Sequence, residues 1–205
     1  MNVGEKMNSN KNTARIVGVL FIVATIAYAS GSAMMEPLLG SSNGFTNKIF
    51  VGSFLEFIDV IAVIGIGVLL FPILRNYSIP IAWTYLGTRI LEAAFISMSI
   101  ASIFLATALW YERAFQIAML VLSLGSLPFM YLLYQSKLIP RSISVLGFIG
   151  YIALLIWSVL EISGFTAGTF LFIPGALFEI IFPVWLLVKG FNLSLVASET
   201  SKSAY

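Results

Sequence analysis

The sequence predicts an all-α polytopic membrane protein, a bundle of six transmembrane helices with the N- and C-termini both cytoplasmic. Three observations predict it. Of the 205 residues, 60% are hydrophobic and 10% charged, with a mean hydropathy of +1.00, well above the roughly 45 to 50% apolar content of soluble domains. Six apolar runs reach the roughly 20 residues that a helix needs to cross a hydrocarbon core about 30 Å thick. Basic residues are also one-sided. With the N-terminus inside, Lys6, Lys11, Arg15, Arg75, Lys137, Arg141, Lys189 and Lys202 lie at the cytoplasmic side, and only Lys48 and Arg113 face outward, as the retention of positive charge in cytoplasmic loops requires.

The first run, Ala14–Met34, follows three basic residues and contains Ala27-Tyr28-Ala29, a pattern that a cleaved signal peptide also shows. It is read here as a helix that stays. The second run is Lys48–Leu74, the third Pro80–Leu109 and the fourth Ala114–Gln135, followed by Ser142–Ser163 and Thr169–Val188. Between them SSNGFTN, RNYSIP, WYER, QSKLIPR and GFTAG carry the Gly, Pro, Asn, Ser and charged residues of turns. The polar ends, residues 1–13 and 192–205, read as cytoplasmic tails around one membrane domain, residues 14–191.

Composition removes several kinds of chemistry. There is no cysteine and no histidine, so disulfides, thiolate sites, zinc or haem ligation through imidazole, and histidine acid–base catalysis are all excluded. A net charge of +2, with no basic stripe, leaves nucleic acid without a surface. No glycine-rich strand-to-helix turn cradles a phosphate. The glycines of GTRILEA, IGIGV and GFIGY are expected at close helix contacts. Trp83, Trp110, Tyr111 and Tyr151 are expected in the interfacial aromatic belts.

Ionisable residues inside the runs are the anomaly. Glu56 and Asp59 lie in the second, Arg89 and Glu92 in the third, Glu161 in the fifth and Glu179 in the sixth. At ~1.5 Å per residue, all but Glu161 fall roughly 10 to 17 Å from the outer face. Residues three apart share a helix face, so Glu56 and Asp59 form one stripe, and Tyr85, Arg89 and Glu92 another. An ionised side chain at a helix centre costs about 2.5 to 3.5 kcal/mol, and five would cost on the order of 15 kcal/mol. Four carboxylates against one guanidinium require protons or a cation among them. The expected site is therefore Glu56, Asp59, Arg89, Glu92 and Glu179, with Arg89 as counter-ion to the carboxylates of the second helix, Tyr85 and Glu161 as secondary residues, and no specific metal set.

The residues of FLEFIDVIAVIGIGVLLFPIL, YLGTRILEAAF, YLLYQSKLIPRSISVLGFIG and PGALFEIIFPVWLLVKGFN resemble the bacterial membrane proteins grouped as domain of unknown function 4386. The resemblance runs from about Ala14 to Asn192. It implies a multi-pass protein of the bacterial cytoplasmic membrane, and it supplies no activity. The function expected from the residues is a membrane-embedded site that binds a small polar or cationic ligand or relays protons, in transport or sensing, without a cofactor. Membrane lipids and a second copy of the chain are the expected partners. The alternatives are an intramembrane lipid-modifying enzyme using a carboxylate pair, which a divalent cation on Glu56, Asp59 and Glu179 would favour, or a non-catalytic assembly protein in which the charges only fasten the helices.

Overall fold

The computed structural model describes residues 3–35, 47–105, 108–166 and 168–192. The expected C-terminal tail lies outside the described residues, apart from its first residue, Asn192. Six helices follow one another: α1 (Val3–Met35), α2 (Asn47–Leu74), α3 (Ile79–Phe104), α4 (Ala108–Ser136), α5 (Arg141–Ile162) and α6 (Ile173–Val188), the last entered through a short 3-10 turn, Thr169–Phe172. Each is part of a span long and apolar enough to cross a membrane. The chain is a multi-pass membrane protein. Its first helix begins at Val3, so residues 3–13, read from sequence as a tail, continue α1.

Local chemistry sets several of these ends. The Ser78 side chain accepts a hydrogen bond from the Ile81 amide, and Pro80 sits in the first turn of α3, where its missing N–H is no loss. Gly190 takes a φ of 71° beyond α6 and returns its amide to the Trp185 and Leu186 carbonyls, a left-handed cap that glycine adopts without strain.

Each helix packs against its neighbours in the chain, and α6 closes back onto α1. The result is a ring of antiparallel neighbours rather than a layered stack. Short connections produce this order, because a helix leaving a tight turn lies beside the one before it. Close approach depends on glycine at two seams. A methyl group on Gly31 would come within 2.8 Å of the Gly52 carbonyl oxygen, and one on Gly150 within 2.8 Å of the Gly175 Cα; the α1–α2 and α5–α6 backbones touch there. Gly87 of GTRILEA has nothing within 4 Å of such a methyl, so it is not one of the contact glycines.

The α3–α4 turn lies earlier than the sequence suggested. α3 stops at Phe104 and α4 begins at Ala108, which places WYER inside α4. A charged pair at a membrane boundary fits a helix end as well as a loop, and the spacing could not separate the two. The shift matters for Tyr111: consecutive helical residues point about 100° apart, so Trp110 faces outward while Tyr111 is buried. Tyr151 is buried as well. Neither is a belt residue.

On the side of the ring where α1 begins and α6 ends the axis is filled by apolar side chains, among them Leu70, Phe129, Met130, Leu133 and Phe182. An aromatic network spans this plug. The Phe182 ring lies 5.2 Å from Phe21, 6.4 Å from Phe129 and 5.0 Å from Phe178, while Tyr85 lies 4.3 Å from Phe129 and Tyr151 5.6 Å from Phe178.

Candidate functional site

Beyond that plug the ring encloses a cavity of about 200 Å³ to which all six helices contribute. Its far side carries a second aromatic group: Tyr28 stacks on Phe115 at 5.0 Å, Phe115 meets Trp157 at 6.1 Å, and Trp157 meets Phe172 of the 3-10 turn at 4.7 Å. The cavity thus lies between two aromatic layers. Its walls are predominantly apolar, and the polar groups within it are few.

Those polar groups include four of the five expected site residues. Asp59 of α2, Arg89 and Glu92 of α3 and Glu179 of α6 all line the cavity. Arg89 Nη1 donates to Glu92 Oε2 at 3.0 Å, an i,i+3 pair within one helix. The direct ion pair of the guanidinium is with its own neighbour, which spacing along α3 brings within reach before any other helix is considered, and its charge also faces Asp59 of α2 without a direct contact. The guanidinium carbon also lies 5.0 Å from the Tyr85 ring and 5.7 Å from the Phe21 ring, a cation–π arrangement. Gly67 of α2 leaves room for the Arg89 stem, since a methyl there would meet Arg89 Cβ at 3.0 Å.

Two features of this cluster stand out chemically. Arg89 Nε and Nη2, and the Tyr85 hydroxyl, are buried without a hydrogen-bond partner among the described residues. Asp59 and Glu179 face the Arg89 charge but make no direct ion pair with it, so three carboxylates share one guanidinium among the described residues. The Thr25 hydroxyl of α1 lies 3.3 Å from Glu179 Oε2 and 3.0 Å from the Phe21 carbonyl oxygen, and its single proton serves one acceptor at a time. Buried polar groups are nearly always satisfied. Open donors on Arg89 and the carboxylates of Asp59 and Glu179 thus border one hollow.

The remaining expected residues stand apart. Glu56, one turn along α2 from Asp59, does not line the cavity; it accepts a hydrogen bond of 2.7 Å from the Tyr111 hydroxyl of α4, and Ser99 of α3 donates to the Tyr111 carbonyl at 2.8 Å. Tyr85 lies behind Arg89 as its aromatic support. Glu161 is at the end of α5 outside the cavity, where Arg113 donates to its carbonyl oxygen at 3.1 Å. Among the described residues no three acidic side chains converge as a metal site, so Glu56, Asp59 and Glu179 do not form the cation cage that would have favoured the enzymatic alternative.

Sequence reasoning did not select Thr25, Tyr111 or Tyr151. A lone hydroxyl on an apolar helix was the available signal for Thr25, and it is weak, because a hydroxyl in a membrane helix can bond its own backbone carbonyl.

Residues 16–112 and 104–190 match the model of the family described as Domain of unknown function (DUF4386). No curated protein and no solved structure matches the chain.

Proposed function

The chain belongs to the family described as Domain of unknown function (DUF4386), and for this member we propose a membrane-embedded binding site for a small organic cation, used in transport or sensing. The observation that carries this reading is the placement of Asp59 and Glu179, neither of them in a direct ion pair among the described residues, on the same cavity as the Arg89–Glu92 pair, so that three carboxylates share one guanidinium. Ionised carboxylates in a low-dielectric interior need a positive charge or a proton. A protonated amine supplies either, since it can bind as a cation or exchange its proton with the site. Aromatic walls suit its apolar part and its charge. Scaled to the ~150 Å³ cavity that admits benzene, about 200 Å³ admits about eight non-hydrogen atoms.

A purely fastening role fits less well. The Arg89–Glu92 ion pair lies within one helix, and among the described residues Asp59 makes no direct ion pair to another. Glu56, through Tyr111, and Glu179, through Thr25, each link two helices, but an interhelical hydrogen bond in a membrane protein contributes only about 0.6 kcal/mol.

The site would lie in the bacterial cytoplasmic membrane with both chain ends inside, and six helices make a transporter most workable as a pair of chains. The test is thermal unfolding of the purified protein with butylammonium chloride, for the native chain and for Glu179→Gln. A ligand at a hundredfold excess over its Kd stabilises by about 2.7 kcal/mol, so a rise in melting temperature that the variant loses is expected. No rise in the native protein with butylammonium, ethylammonium or tetramethylammonium would refute the reading. Uptake into proteoliposomes then separates transport from sensing.

A further inference from the structure

The cavity wall is not uniform. On α2, α3 and α5 its lining side chains, such as Asp59, Ile66, Arg89, Glu92 and Tyr151, are buried. Between α1 and α6 they are not: Thr25, Tyr28, Gly175 and Glu179 are half-buried, and Ala29 and Ala176 line the cavity while being exposed. Thr25 and Ala29 are four apart on α1, and Ala176 and Glu179 three apart on α6, so each pair forms a column on one helix face. The two columns flank a cleft. Small alanine side chains leave it open, and the hydrogen bond from Thr25 to Glu179 crosses it.

What lies outside this cleft is settled by its neighbours. Ile26 is 60% exposed on α1, as are Ile173 (58%), Leu177 (48%) and Ile180 (60%) on α6. In a helix that crosses the bilayer such side chains face acyl chains, so the cleft opens sideways into lipid. α6 is also the least buried of the six spans. The two ends of the cavity, by contrast, are covered by the aromatic layers.

We propose that the ligand is an amphiphilic amine that reaches the site from the bilayer through the α1–α6 cleft, its ammonium group at Glu179 and Asp59 and its single alkyl chain lying in the cleft among Ile26, Leu177 and Ile180. This rests on the cation-site reading and narrows it to a substrate class. Three observations fit together here. The cavity holds only about eight non-hydrogen atoms, so a longer chain must leave it. The cleft is apolar apart from its carboxylate end, which matches the polarity of the ligand along its length. The charged end of the cleft is anionic, which selects an amine over the phosphate or carboxylate headgroup of an anionic lipid. Arg89 Nε and Nη2, still open, would hold an oxygen atom borne near the amine.

The probe is a dodecylamine with a diazirine at the end of its chain, photolysed with the protein in liposomes of phosphatidylcholine and phosphatidylglycerol and mapped by mass spectrometry. Labelling is expected on the lipid face of α1 and α6, at Ile26, Leu177 or Ile180, and competition by excess butylammonium is expected to reduce it about tenfold, a factor equivalent to about 1.4 kcal/mol. Glu179→Gln should reduce it similarly. Competition uses only the native protein and stands if that variant fails to fold. Labelling spread evenly over exposed residues of other helices, such as Phe54, Ile61 and Ile90, with no response to butylammonium, overturns the proposal. If butylammonium still raises the melting temperature in that case, the cation site survives and its ligand is small and confined. If it does not, both readings fall.

Discussion

Toward the start of α1 and the end of α6 the bundle axis is filled by Leu70, Phe129, Met130, Leu133, Phe182 and Leu186, all fully buried, whereas further along the same helices it holds a cavity bordered by three carboxylates and a guanidinium. One set of six helices is thus solid at one end and hollow at the other. The difference shows how a small membrane protein can keep charges at its centre. Lipid gives no hydrophobic drive for helix association, so close packing in the solid half, with the glycine seams, must hold the ring closed. The hollow half is then free to leave polar groups unmatched.

Substitution at fixed chemistry tests the contrast most strongly. Leu133 lies in the plug and Leu154 on the cavity wall. Leu133→Ala should cost about 4 to 5 kcal/mol, near the top of the range for buried leucine, and Leu154→Ala about 2 kcal/mol, because the second side chain already borders empty space and loses fewer contacts. Reversible unfolding in detergent measures both. Equal losses would mean that the cavity is closed up in the working protein.

A smaller effect separates charge from packing. Arg89→Met leaves Glu92 buried without its partner and should cost about 3 kcal/mol. Adding Glu92→Leu should recover most of that loss, since replacing both members of a buried pair by apolar groups is often neutral or favourable. The double variant should nevertheless fail to respond to butylammonium. A double variant that is as unstable as the single one would show that the pair fastens the bundle, contrary to its placement within one helix.

The fold was readable in the sequence because its signal is coarse. Twenty apolar residues either span a bilayer or do not, and the five spans from Lys48–Leu74 to Thr169–Val188 appeared within a few residues of their structural limits except around WYER, while the first, Ala14–Met34, belongs to a helix that already begins at Val3. Site geometry depends on finer things. Helical spacing put Arg89 beside Glu92 and put Glu56 and Asp59 on one stripe, yet it could not show that α4 offers Tyr111 to Glu56 while Asp59 borders the cavity. The segments GSFLEFI and GALFEII illustrate the limit. Both place glycine four residues before glutamate, but Gly52 packs on α1 and Gly175 on α5, so one glutamate meets a tyrosine and the other a cavity. Lateral neighbours in the ring decide this, and they are set by loops and seams, not by local pattern.

Tyr111 offers a further test of that divergence. Tyr111→Phe removes the 2.7 Å hydrogen bond to Glu56 and keeps the ring, so about 1 kcal/mol of stability should be lost, the net value of a typical hydrogen bond. Because Glu56 does not line the cavity, the butylammonium response should be retained. A variant of normal stability that no longer responds would instead join Glu56 to the site through Asp59, one turn away.

The smallest expected change in stability, with the largest change in binding, is at Glu179. Glu179→Gln keeps the shape of the side chain and an oxygen that can accept from Thr25, so unfolding should move by less than about 0.5 kcal/mol, as for a substitution that leaves no buried group newly unpaired. Its negative charge is lost, and with it the attraction for an ammonium group in a water-poor cavity, so amine binding should weaken at least about tenfold. Residues of the plug should show the reverse pattern, with stability falling and the affinity of the remaining folded protein unchanged. If Glu179→Gln instead stabilises the protein by several kcal/mol and leaves amine binding intact, the carboxylate is an unrelieved burden on the fold, and the hollow half is a gap in packing without a ligand.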